Sequence, residues 1–381
     1  MPTTELKNIV YRALLPFCAP SCGPDPVSSV SGHALSYGRS FEKLLRRHHV
    51  LGSVTFLESD GVSSLICTSS PDPAHSARPD TLFRVASVTK TATAVLILRL
   101  ADEGLLSLDD PISAFFPDGS GIDGITLRHL LSHTSGIADP PGLEESLENG
   151  VPFTELLPAA RVSAPGSSFR YSNLGFGLIG CLLESLLGEP VGMIFRDRLF
   201  RPLQMNATLE GCLLPADRIM PVTRILPYRK GSDLVLTRLG SVPLDHPDSL
   251  RHYGHTAGSM YTDAVSLSTL LHVIIRNDPP FLSQGARIDM MREHASYGAL
   301  SPTLSYGLGL LRINDPGISG GLVFGHQGFA YGCADGAFWE DHTGRIMITL
   351  NGGCSEARTG RLGLSNRDFL RWAFRKELPS W

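Results

Sequence analysis

Ser87 and Lys90 stand three residues apart in "FRVASVTK" (83–90), where an apolar, strand-like lead-in gives way to a helix-forming run. A serine hydroxyl is a weak nucleophile and needs a base. A lysine amine serves as that base when burial or neighbouring cations depress its pKa. If Ser87 opens the helix, positions i and i+3 share a face and the amine reaches the hydroxyl. The helix N-terminus also favours negative charge developing beside Ser87. Taken alone, the same spacing fits an N-cap serine followed by a surface lysine.

Two other stretches bear on the choice. "YSN" (171–173) places a phenol near a carboxamide, and a phenol exchanges protons with an attacking or departing oxygen. It also reads as a tyrosine packed against a turn. "HQG" (326–328) sets a histidine, only partly charged near neutral pH, two residues before a glycine. His252 and His255 lack a nearby cysteine or a second pair, so no metal site is assigned to them. His133 in "SHTSG" reads as a residue that shapes a loop.

The elements that must position these groups follow from composition and pattern. The chain has 381 residues, 42% hydrophobic and 18% charged, with a formal net charge of −4. That is globular composition with length for two or three structural units. No basic patch dominates, which argues against nucleic acid, and no apolar run reaches membrane-spanning length. The segment 8–20 is broken by Arg12 and Pro16 and reads as a docking helix or extended arm rather than a signal peptide. The seven cysteines are odd in number and scattered, so free thiols and a cytoplasmic location are expected.

Helices are expected over 40–50, 88–104, 262–278 and 365–378. "GSVTFLE" and "VSSLICTSS" form a hairpin near the start. Strands follow late in the chain at 306–313, 321–328, 333–341 and 345–353. Neither strand group makes a stable sheet alone. Pairing them in one antiparallel sheet with helices on its faces gives an α/β (α+β) sandwich from 1–90 and 251–381. A mainly helical insertion, 91–250, lies between, with the active site where the two meet.

The blocks "TLFRVASVTKTATAVLILRLADEGLLSLDDPISAFFP" (81–117), "ITLRHLLSHTSGI" (125–137), "FRYSNLGFGLIG" (169–180), "TAGSMYTDAVSLSTLL" (256–271) and "FGHQGFAYGCADGAFW" (324–339) occur in order. Together they resemble the serine β-lactamase-related family, which joins class C β-lactamases, DD-peptidases, esterases and acyltransferases. The resemblance runs from about 40 to 375 and implies the β-lactamase/DD-peptidase-like fold. It implies Ser87 as nucleophile, Lys90 as its partner and Tyr171 as proton-exchanging phenol. Which of Lys90 and Tyr171 is the general base stays open. Asn173 would hold the lysine or the substrate carbonyl, and the amides of Ser87 and Phe329 would form the oxyanion hole.

The chain departs from the family in two places. His326 stands where β-lactamases and many DD-peptidases carry the lysine that helps to bind a carboxylate, as in family esterases and acyltransferases. That favours a hydrogen-bonding role near the leaving group and negligible turnover of penicillins and cephalosporins. Gln204 stands where a glycine is usual, which puts a local turn in doubt. Gly328 lets the strand approach the substrate, while Phe329 and Tyr331 narrow the acyl pocket. The implied enzyme forms an acyl-Ser87 ester on an ester, thioester or amide, without metal or organic cofactor. Its partners are a small acyl substrate and either water, an acceptor alcohol or a carrier-bound acyl thioester. Hydrolase and acyltransferase remain alternatives, and a non-catalytic relative is disfavoured by the intact Ser87, Lys90 and Tyr171.

Overall fold

Ile346, Ile348 and Leu350 join one hydrophobic cluster, whereas Met347 between them joins another. This period of two makes the segment a strand buried on both faces. The computed structural model describes residues 2–18, 27–30, 38–116, 121–226, 228–230, 235–299 and 301–375. Its central sheet has nine strands: β1 (Val27–Val30), β2 (Ser53–Ser59), β3 (Val62–Thr68), β4 (Ala295–Ser296), β5 (Leu304–Tyr306), β6 (Leu311–Ile313), β7 (Val323–Ala330), β8 (Cys333–Glu340) and β9 (Ile346–Asn351). The order is β1-β3-β2-β9-β8-β7-β6-β5-β4, antiparallel throughout. The early hairpin joins the late strands through β2 and β9, with Val54 opposite Leu350.

Six helices frame this sheet and its insertion: α1 (Pro2–Cys18), α2 (Gly38–Arg47), α3 (Thr89–Asp102), α4 (Asn173–Leu187), α5 (Ala264–Arg276) and α6 (Leu364–Phe374). Phe41 and Leu45 of α2 meet Phe369 and Leu370 of α6 over one face. Helix α5 covers the other face, against β2, β8 and β9. It is capped by Asp263, whose carboxylate accepts from Ser266 N at 2.7 Å. Among the described residues between 89 and 250 the regular structure is mostly helix with long irregular stretches between, and α3 and α4 lie inside the larger core.

The continuous strand expected over 306–313 is instead two short ones, β5 and β6, joined by a turn. Gly309 has φ +64°, and a Cβ there would lie 2.7 Å from Lys90 O. The turn thus lets this backbone press onto α3, where Thr91 Oγ1 donates to Gly309 O at 2.9 Å. Gln204 adopts φ +52°, so the doubtful turn is kept without glycine. The start of the chain is a docked helix: Leu15 and Tyr11 pack with Leu51, Ile225 and Leu226, and Tyr11 OH accepts from Glu356 N at 3.3 Å. Residues 19 and 20 of the expected arm, Pro117, Cys22, the Cys18 side chain and the last part of the expected terminal helix lie outside the described residues. Cys181 and Cys354 are buried free thiols and Cys212 is an exposed one, while Cys67 and Cys333 are also buried. Among the described residues no single helix is long and apolar enough to cross a membrane.

Candidate active site

Ser87 lies in a short 3-10 turn, Ala86–Val88, immediately before α3. Ala86 holds φ +44°, an uncommon conformation for a residue with a side chain. Bonds on both sides keep the turn in place. Thr89 Oγ1 donates to Ala86 O at 2.6 Å, and Val85 N donates to Met260 O at 3.0 Å. Lys90 falls in the first turn of α3, fully buried, with its amine on the Ser87 side.

The Lys90 amine has three oxygen partners: Ser87 Oγ at 3.2 Å, Asn173 Oδ1 at 2.9 Å and Ala257 O at 2.7 Å. An ammonium donates to all three. A neutral amine donates two hydrogens, to Asn173 and Ala257, and its lone pair accepts the Ser87 hydroxyl. Burial lowers the Lys90 pKa to about 7, with the Asp139 charge opposing that shift.

Tyr171 lines the same cavity as Ser87, whose hydroxyl favours the ionised phenol while burial opposes it. Burial raises its pKa far above the usual phenol value, so it stays protonated. Its ring lies 4.9 Å from the Lys90 amine and packs, tilted, with its centroid 4.2 Å from that of His133. His133 has φ +58° in its loop, and its Nδ1 accepts from Ser172 N at 3.2 Å. It therefore also braces the segment carrying Tyr171 and Asn173. His252 is engaged elsewhere, with Nδ1 2.7 Å from the buried Glu184.

Strand β7 runs past the Ser87 turn. A Cβ on Gly328 would stand 2.2 Å from Val85 O, so only glycine allows this approach. Phe329 follows at the cleft, where β7 has left its pairing with β6. His326 is buried, with Nδ1 2.6 Å from Gln327 O and Nε2 2.8 Å from Tyr306 OH. A carbonyl only accepts, so Nδ1 carries the proton and Nε2 takes the Tyr306 hydroxyl. Burial and the Lys90 charge lower its pKa to about 3. The imidazole is thus neutral throughout the physiological range, not partly charged as its residue type suggests.

Ser87, Asn173, Phe329 and Arg358 are shared by two adjoining cavities. One, of about 270 Å³, has Leu143, Leu147 and Leu239 on its wall, with Arg84, Arg224 and Tyr331 also lining it. The other, of about 320 Å³, holds Tyr171, His326, Tyr297 and Arg361. The sequence reading missed Asp139, Arg358 and Arg361. Arg358 lies 4.2 Å over the Phe329 ring, and Gln327 Nε2 donates to Arg361 O at 2.7 Å. The pair in "ARTGR" was a visible basic signal. Asp139 had no signal beyond its place shortly after "HTSG".

Comparison with known proteins identifies the family. The family model described as Beta-lactamase matches residues 58–353. The chain belongs to that family. Esterase EstB of Burkholderia gladioli is 28% identical over 382 residues, spanning 86% of this chain and 92% of EstB. The D-alanyl-D-alanine-carboxypeptidase/endopeptidase AmpH of Escherichia coli K12 is 34% identical over 150 residues, 36% of this chain and 39% of AmpH. A D-stereospecific amidohydrolase from Streptomyces sp. superposes with a TM-score of 0.63 at 26% identity, covering 84% of this chain and 93% of its own. EstCE1, a hydrolase with promiscuous acyltransferase activity, shares the fold with a TM-score of 0.65 at 22% identity, over 89% of this chain and 95% of its own. This member of the Beta-lactamase family is an esterase-like serine hydrolase with the β-lactamase/DD-peptidase-like fold.

Proposed function

We propose that the chain cleaves a small ester, thioester or amide through a covalent acyl-Ser87. The observation that carries this reading is the Lys90 amine, buried, with a pKa near 7 and within 3.2 Å of Ser87 Oγ. Neutral Lys90 takes the Ser87 proton as Oγ bonds to the substrate carbonyl carbon. The carbonyl oxygen gains negative charge, and the amides of Ser87 and Phe329 stabilise it. Tyr171, protonated and in the same cavity as Ser87, delivers a proton to the departing oxygen, sulfur or nitrogen. Lys90 then returns its proton to the tyrosine as the leaving group departs.

Tyr171 lines the cavity containing Arg358 and Arg361, so the leaving group occupies that side. The acyl chain then lies in the cavity with Leu143, Leu147 and Leu239. After the first alcohol departs, water or an acceptor alcohol enters from the same side. Neutral His326 supplies shape there, its two ring nitrogens held by Gln327 O and Tyr306 OH, while the arginines supply the cationic charge.

Intact-mass measurement after exposure to a panel of acyl esters and thioesters tests this reading. One acyl adduct, absent in Ser87→Ala, is the expected result. An adduct that persists in the variant overturns the assignment. Adding short alcohols and measuring the ester-to-acid product ratio separates transfer from hydrolysis.

A further inference from the structure

The loop after the helix Leu127–Leu131 places the Asp139 carboxylate beside Ser172, Asn173 and Leu174. Asp139 Oδ1 accepts from Ser172 Oγ at 2.8 Å and from Leu174 N at 2.9 Å. Its Oδ2 accepts from Asn173 Nδ2 at 2.9 Å. The neighbouring backbone is pinned, since Ala138 N donates to Ala160 O at 2.8 Å. Asp139 therefore sits at the N-terminus of α4, where the exposed amides favour an anion.

We propose that Asp139 is a positioning residue for Lys90, acting through Asn173, whose carboxamide it holds with the oxygen toward the amine. A carboxylate only accepts, so it selects the orientation of Asn173 that presents NH₂ to Asp139 and C=O to Lys90. The reverse orientation would point two donors at an ammonium and leave its hydrogen unpaired. This role rests on the acyl-enzyme reading of Ser87 and Lys90.

Asp139 also acts by charge. Lys90 faces the Tyr171 and Phe176 rings and, by charge, His133 and His326. Both histidines are neutral because burial lowers their pKa, and Tyr171 is protonated. Arg358 and Arg361 line the adjoining cavity and add positive charge. Asp139 is the carboxylate that raises the Lys90 pKa against its burial. Removing that charge therefore lets Lys90 lose its proton at lower pH.

The test uses Asp139→Asn and, should that variant fold poorly, Asp139→Ser, which keeps an acceptor for Leu174 N. Titration of Lys90 is followed by NMR on protein labelled at lysine Cε. The midpoint is expected to fall by roughly one pH unit. The acid limb of kcat/KM should move with it, while the plateau kcat drops by about tenfold to a hundredfold. In an Asn173→Ala background, removing Asp139 should cost less than about threefold more, because residues acting as a unit are non-additive. An unmoved Lys90 titration in a folded variant, or a full extra loss in that background, overturns the proposal. The NMR readout does not require turnover, so failure of Ser87 to acylate would overturn the proposed function separately.

Discussion

His326 and Tyr306 meet at 2.8 Å, Nε2 to OH, inside a site where the opposite ring nitrogen is already committed to Gln327 O. Both nitrogens are satisfied by the protein, so the ring is a fixed part of the wall. Tyr306→Phe removes the donor and leaves a buried acceptor unpaired, which costs about 1–3 kcal/mol. A lower thermal midpoint with nearly unchanged pH dependence is the expected result, measured by thermal melts and rate profiles.

The pH dependence follows from Lys90. The catalytic form carries a neutral amine, and burial brings that form into existence above about pH 7 rather than near 10.5. kcat/KM should therefore rise with pH through about 7 and then level. Burial raises the Tyr171 pKa, so no loss of its proton interrupts the plateau at moderately alkaline pH. His326→Gln should keep the same midpoint, because a ring with a pKa near 3 does not titrate there. A midpoint that vanishes in that variant would assign the limb to His326.

Ser87→Ala should abolish turnover and labelling by a fluorophosphonate while leaving the fold intact. Lys90→Ala and Tyr171→Phe should each lower kcat by about a hundredfold or more. The double variant should be little worse than either single one, since both serve the same proton path. Wild-type rates in Tyr171→Phe would remove the phenol from the mechanism.

Gly328→Ala should lower kcat by at least roughly tenfold with a smaller effect on melting. The added methyl would approach the Val85 carbonyl to 2.2 Å and push β7 away from the Ser87 turn. A 1 Å displacement of a catalytic group is enough to cost about a hundredfold. Unchanged kinetics would show that this close approach has no part in catalysis.

Arg361→Gln should reduce kcat/KM for esters with a carboxylate on the leaving group by roughly tenfold relative to neutral esters, a Coulombic effect that weakens with added salt. Competition assays with matched phenyl esters measure it. Equal losses on both substrates would refute the charge role.

Ordered motifs made the nucleophile turn, the YSN segment and the HQG strand legible because each needs particular residue types next to one another. The antiparallel sheet was legible from two separated groups of strand-like segments, neither of which could close a sheet alone. The 306–313 segment was misread because apolar continuity masks a turn that only its packing on α3 demands. His326 misled differently: its residue type suggests partial charge, but Tyr306 and burial decide its state. Asp139 was hidden because its partners lie far away in sequence, and the basic signal of Arg358 and Arg361 gained its meaning only when the fold brought them to the cleft.

The pairing of β2 with β9 has a consequence for synthesis. Val54 emerges from the ribosome long before its cross-strand neighbour Leu350. The early hairpin must wait with its apolar faces uncovered, and loop closure over most of the chain makes such topologies slow to fold. Ser87 likewise exists long before Tyr171 and His326 are translated. Nascent chains should therefore engage holdase chaperones until β7, β8 and β9 emerge, and the nucleophile should acquire its reactivity only once Tyr171 and His326 are in place.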